Sequence, residues 1–240
     1  MSSPETGHAK NIANFESLIN FCAGYGPTYN PGRASLSLDA LRTKLEASKA
    51  AFADTINKEI LYDNAVNARL DAFKDFKGLS TKISNALAAS GVGPNIIDAA
   101  RTLNRKMQGG RATPKPEATV DAVETRTISA SQQGFDTRLE HLQGLIQLVS
   151  SQPEYTPNEE ELKPESLKAL IASLYAINNR VREAEVVWSN ARLARTKTMY
   201  AEGDGLAHIA LDVKKYVKSV FGASSLEYSQ IKGITFRKQS

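Results

Sequence analysis

The sequence predicts an all-α protein: an elongated antiparallel helical bundle built from two tandem, pseudo-twofold-related helical repeats with long helices. Three observations carry that expectation. The first is a heptad seam in which Leu167, Leu174, Val181 and Trp188 fall seven apart, with Leu170, Ile177, Ala184 and Ala191 at the intervening three-residue steps. A helix collects these positions into one apolar stripe, leaving Lys168, Asn178, Arg182 and Glu185 for the other faces. The second is an internal repeat. The loop Pro27-Thr28-Tyr29-Asn30-Pro31 returns as Pro153-Glu154-Tyr155-Thr156-Pro157, with Tyr29 and Tyr155 126 positions apart. The third is the stretch from Gly109 to Thr127, GGRATPKPEATVDAVETRT, whose paired glycine, two prolines and short polar residues sustain neither helical nor strand periodicity.

Taken in order, residues 1 to 8 are small and polar and read as a loose end. Apolar positions Ile12, Phe15, Ile19 and Cys22 predict a short helix that Gly24, Gly26 and Pro27 stop. A long helix then runs from Leu38 through Leu41, Leu45, Phe52, Ile56, Ile60, Leu70 and Phe73, interrupted at Lys77-Gly78-Leu79 before Ile83 and Leu87 resume the pattern. Gly91, Gly93 and Pro94 end it, and Asn95 is the expected cap of a shorter helix carrying Ile96, Ile97, Ala100, Leu103 and Met107. After the linker, Leu139, Leu142, Leu145, Ile146 and Val149 share one face of a helix over 132–149, and the seam helix follows. Each long helix either continues to Ala88 and Phe221 or breaks at Gly78 and Gly205. Alternation over Ile231 to Phe236 predicts a short strand, with Val120 to Ile128 as its candidate partner.

The displacement seen in the loops persists along the long helices. Leu36 matches Leu162, Leu41 Leu167, Leu45 Ile171, Tyr62 Trp188, Asn64 Asn190, Ala65 Ala191, Ala68 Ala194 and Arg69 Arg195, and Gly78-Leu79 matches Gly205-Leu206 after a shift of one. A two-copy duplication follows, too short for a solenoid. Its parts are repeat 1 over 9–108, a linker over 109–130 and repeat 2 over 131–238, both packed into one bundle. Ser48, Thr55 and Lys58 stand where the second seam has Leu174, Val181 and Ala184, which predicts a slightly rotated buried face in the first copy.

The pieces NIANFESLINFCAGYGPTYNP and VKSVFGASSLEYSQIKGITFRK resemble those of a group of similarly sized, uncharacterised helical proteins predicted from genomes of the Bacteroidota. The resemblance covers most of the chain. It implies a helical fold and brings no activity, cofactor or site residue.

A chain of 240 residues with 41% hydrophobic content has ample material for a core. Thirty Lys and Arg against twenty-six Asp and Glu describe a mixed surface, not a polycation. No secretory leader and no run of spanning length is visible, so a cytoplasmic protein without a membrane span is expected. The lone Cys22 shares the apolar face of its helix and reads as a buried thiol rather than a reactive one. His8, His141 and His208 lie in three segments and converge on no metal, while Asp204 reads as a helix cap beside a surface His208. Glu159-Glu160-Glu161 complements a helix dipole, and Gly91-Val92-Gly93-Pro94 lacks the lysine of a phosphate loop. No cofactor or small-molecule substrate emerges.

The expectation is therefore a non-enzymatic structural or interaction protein, in its concrete form a self-associating scaffold, with itself or another protein as partner. Tyr62, Arg69, Trp188, Arg192 and Arg195 form the candidate interaction surface, because aromatic and arginine side chains are the usual anchors of interfaces. Trp188 itself is expected to be mostly buried, with a polar partner on its indole N–H. Two rivals remain. Basic faces around Arg180, Arg182, Arg192, Arg195, Lys197, Lys214, Lys215 and Lys218, with Tyr200 and Tyr216 nearby, would serve a nucleic-acid-binding protein, although Glu183 and Glu185 are interleaved. A membrane-active helical bundle is the other.

Overall fold

A computed structural model of the chain describes residues 4–109 and 134–237, with the side chains of 4–6 left aside. The described residues are helical and form no strand. The helices are α1 (Pro4–Gly24), α2 (Leu38–Ala72), α3 (Phe76–Ala89), α4 (Pro94–Gln108), α5 (Phe135–Ser150), α6 (Pro164–Tyr200), α7 (Leu206–Phe221) and α8 (Leu226–Lys232). At 1.5 Å per residue α2 and α6 are each about 50–55 Å long. Most of the expected linker, and the 120–128 stretch, lie outside the described residues.

The chain divides into two compact units that draw on both halves of the sequence. Unit 1 holds Met1–Tyr62 and Ala184–Ser240, and unit 2 holds Asp63–Glu183. In unit 1, Phe15, Leu18 and Cys22 of α1 are buried with Leu41 and Leu45 of α2, Met199 of α6, Leu206, Val213 and Val217 of α7 and Ile231 of α8. In unit 2, Phe73, Ile83 and Leu87 join Met107 of α4, Leu139, Leu142 and Val149 of α5, and Leu167, Ile171 and Leu174 of α6. Each large apolar side chain removed from water in this way stabilises its unit by about 1.5–3 kcal/mol.

Several expectations are corrected. Helix α1 begins at Pro4, so 4–8 is not a loose end, and His8 is buried. The first long helix breaks at 73–75, before Gly78, which lies inside α3. Phe73 and Phe76, on either side of the break, are both buried, and their rings stack 5.4 Å apart. Gly93, not Asn95, caps α4, with Pro94 in the first turn where its missing N–H costs nothing. Gly205, not Asp204, precedes α7, and the Asp204 carboxylate lies 3.1 Å from Lys44 Nζ instead.

The buried stripe of α6 also differs from the expected seam. It runs through Leu167, Ile171, Leu174, Asn178 and Val181, whereas Leu170, Ile177 and Ala184 are only half-buried. Asn178 tolerates burial because its amide oxygen accepts from Arg69 Nη1 at 3.1 Å and its nitrogen donates to Asp136 at 2.8 Å. Ser48 and Thr55 of α2 are buried without rotation of the face. Each hydroxyl donates to the carbonyl four residues back, Lys44 and Ala51, so a polar side chain fits inside.

The expected strand at 231–236 is absent. Ile231 and Lys232 belong to α8, and the extended residues after Gly233 are held by side chains rather than by another strand. Lys214 Nζ donates to the carbonyls of Lys232 and Ile234, Asn14 to that of Thr235, and Asn11 both donates to the Arg237 carbonyl and accepts from its N–H. These bonds meet the demand that a strand partner would otherwise have met.

Candidate interaction surface

Tyr62 ends the part of α2 that belongs to unit 1, and Trp188 lies near the start of the corresponding part of α6. Their rings stack with centroids 5.2 Å apart and planes 20° from parallel. The Arg192 guanidinium, one turn on from Trp188, sits 5.0 Å from the tryptophan ring, within cation–π range. Both aromatics are half-buried, and Arg192 is exposed. The Trp188 indole N–H has no hydrogen-bond partner among the described residues, which corrects the expectation of a polar partner. The packing is ring on ring, and a flat stack offers no acceptor in the plane of the indole.

Beside this stack the two helices expose apolar side chains. Ile60 is 52% exposed, Leu61 56%, Val186 59%, Val187 45% and Leu193 66%. Ile60-Leu61 and Val186-Val187 immediately precede Tyr62 and Trp188, so each aromatic follows an exposed apolar pair. One and two residues before the ring, at about 100° per residue, these side chains turn away from the stack. Ile60, with Ile56 and Leu70, was expected on the apolar face of the first long helix and is exposed instead, while Leu61, Val186 and Val187 lie off the seam that the sequence pattern marks. The 126-position displacement was the signal that would have found them.

The charges around the patch are segregated. Residues 54–63 of α2 carry Asp54, Glu59 and Asp63 against one lysine, Lys58, whereas 186–197 of α6 carry Arg192, Arg195 and Lys197 and no acid. Arg195 is buried rather than displayed, and Asn64 and Asn190 are exposed. Arg69 stands apart from this group, in unit 2, where its guanidinium lies 4.1 Å from the Phe135 ring and donates to Asn178.

The basic residues of the nucleic-acid rival are partly committed elsewhere. Arg182 pairs with Asp136, and Lys215 lies 3.0 Å from Asp212. Lys214 serves the backbone after α8, and burial pushes its pKa down. Arg180, Arg192, Lys197 and Lys218 are exposed. Cys22 is buried, and burial pushes its thiol up to about 12, against a hydrogen bond with Tyr29 that lowers it. Among the described residues no group of three or more His, Cys, Asp or Glu side chains is placed to hold a metal ion. None of the described helices is long and apolar enough to cross a membrane.

The class that these features define is an all-helical protein with paired aromatic, apolar and arginine side chains on its long helices. Compared with family models, with curated proteins and with solved structures, the chain matches none.

Proposed function

We propose that the protein is a non-enzymatic, cytoplasmic interaction protein that assembles with further copies of itself, its framework an antiparallel helical bundle made by a two-copy duplication. The single observation that supports this best is the exposed apolar pair occurring twice, at Ile60-Leu61 and Val186-Val187, beside the Tyr62–Trp188 stack. Water-exposed aliphatic side chains grouped on neighbouring helices favour burial by a partner. Exposed Asp54 and Asp63 on α2 and exposed Arg192 and Lys197 on α6 favour a second copy, because one chain carries both halves of a complementary pair and a twofold contact satisfies both at once. The duplication is supported by the shared displacement and by Tyr29 and Tyr155, whose hydroxyls each donate to the carbonyl seven residues on, Leu36 and Leu162.

The test is the mass of the purified chain in solution, alone and as Ile60→Asp with Val186→Asp. The expected result is an assembly that falls to monomer in the double variant while helical content is unchanged. A wild-type chain that stays monomeric at high micromolar concentration would falsify self-association. Binding to nucleic acid that weakens steeply with salt and is lost on Arg192→Ala would instead favour the exposed cations of α6.

A further inference from the structure

We propose that Arg69 and Arg138 of unit 2 form a binding site for the carboxylate of a small organic acid whose body is apolar or aromatic. This goes beyond the self-association reading and rests on a different part of the chain. Arg138, in α5, is stacked on a group of phenylalanines: its guanidinium carbon is 4.7 Å from the centre of the Phe76 ring, 5.5 Å from Phe73 and 5.9 Å from Phe135. Arg69, in α2, approaches the same Phe135 ring to 4.1 Å. Two cations thus converge on one ring, and Phe73 meets that ring edge-on at 4.9 Å.

No carboxylate among the described residues pairs with either cation. Among the described residues Arg69 donates only to the neutral amide of Asn178, and Arg138 meets only aromatic rings. The Nε atoms of both are buried and lack an acceptor. A buried guanidinium donor bears the desolvation of that group unless a water or a ligand accepts from it. Burial also holds the Arg138 pKa below the ordinary arginine range, a cost that an anion at the guanidinium would relieve. The site is not sealed, because Arg69, Arg138 and Phe135 are all half-buried.

The chemistry selects the anion. A guanidinium presents parallel N–H donors that match the two oxygens of a carboxylate, and the Phe73, Phe76 and Phe135 rings offer an apolar wall for what carries it. The Asp136 carboxylate is one amide away from Arg69, since Asn178 donates to Asp136 and accepts from Arg69. Asp136 is already paired with Arg182, so it is the apolar rings rather than a nearby charge that favour an organic carboxylate over phosphate.

The experiment follows the arginine side-chain Nε–H signals of the full, isotope-labelled chain during titration with sodium benzoate at constant ionic strength, with sodium chloride and inorganic phosphate as parallel titrations. Both arginine signals should move and saturate with benzoate, at a concentration at least about tenfold lower than any response to phosphate. Arg69→Lys with Arg138→Lys keeps the charges while removing the forked donors, and should weaken benzoate at least about tenfold with helical content unchanged. Absence of a saturable benzoate response at the two arginines of the wild-type chain overturns the site. Phosphate binding as tightly as benzoate overturns its assignment to a carboxylate. Neither outcome bears on the mass measurement that tests self-association.

Discussion

In unit 1 the loop ahead of α2 is fastened by Tyr29, whose hydroxyl donates to the Leu36 carbonyl at 2.7 Å, and in unit 2 the loop ahead of α6 is fastened by Tyr155, which reaches the Leu162 carbonyl at 3.0 Å. Both rings are buried. The ion pairs beside them have opposite polarity. In unit 1 the cation, Arg33, is on the loop and its partner Asp212 is on α7; in unit 2 the anion, Glu161, is on the loop and its partner Lys82 is on α3. The junctions differ as well. Unit 1 passes from α6 to α7 through Ala201–Gly205, and unit 2 from α2 to α3 through only 73–75. The buried tyrosine strap is the common element, whereas charge and connection length vary around it. This is what the energetics predict, since a half-exposed ion pair contributes little and a buried hydrogen bond is costly to lose.

The largest effect that would sharpen this contrast lies at the junction glycines. A Cβ on Gly205 would meet the backbone nitrogen and oxygen of Ala201 at 2.5 and 2.6 Å, whereas one on Gly78 meets nothing within 4 Å. Gly205→Ala should therefore cost about 3 kcal/mol through overpacking. Gly78→Ala, inside α3, should instead stabilise by about 0.5–1 kcal/mol through helix propensity. Urea unfolding of the two variants checks both signs, and equal effects would mean that the junctions are not as different as they look.

Next in size are Tyr29→Phe and Tyr155→Phe. Each leaves a carbonyl beneath a buried ring without its donor, and each should cost about 1–2 kcal/mol. Hydrogen exchange read separately in unit 1 and unit 2 should show each loss in its own unit. A large loss for one tyrosine and none for the other would break the parallel between the straps.

The smallest effect is the response of the two ion pairs to pH. Burial raises the Asp212 carboxyl, but hydrogen bonds from Lys215 and Arg33 prevail and hold it below the ordinary aspartate range. Its contribution is thus present above the unfolded-state pKa and is lost as pH falls through the lower folded value. Lys82 is shifted the other way, raised by its hydrogen bond to Glu161, so its contribution is present below the ordinary lysine pKa and is lost as pH rises through the higher folded value. Arg33→Ala should cost no more than about 1 kcal/mol at neutral pH, and less on acidification. Unfolding curves across the acid limb check this, and a cost that grew towards low pH would contradict the assignment.

How much of this was readable in the sequence follows from what each signal measures. Helical periodicity located α2, α5 and α6 and the core positions Leu41, Leu45, Leu139, Leu142, Leu167 and Leu174, because burial on one face leaves a 3.6-residue imprint. Glycine was a poorer guide to helix ends. Gly78 proved helical while the break fell at 73–75, because a glycine inside a helix costs only about 1 kcal/mol and does not by itself end it. Alternation over 231–236 imitated a strand, since nothing in the pattern records that Asn11, Asn14 and Lys214 would take up the backbone of that segment. Of the five candidate surface residues, the structure brings Tyr62, Trp188 and Arg192 together, buries Arg195 and puts Arg69 in unit 2. The Arg138 group was out of reach, because Phe73, Phe76 and Phe135 come together only through long-range packing.

The allocation of the chain between the units sets an order of events at the ribosome. Unit 2 is a continuous stretch, Asp63–Glu183, and every segment of its core has been made once α6 emerges. The core partners of α1, in α7 and α8, are separated from it by nearly the whole chain. At about 5–20 residues per second, roughly ten to forty seconds pass between synthesis of Gly24 and synthesis of Leu206. During that interval Phe15, Leu18 and Ile19 have no partner from α7 and α8, and α1 is made well before its core is complete. A nascent chain of this protein thus presents the apolar face of α1 to chaperones while Asp63–Glu183 is already able to fold.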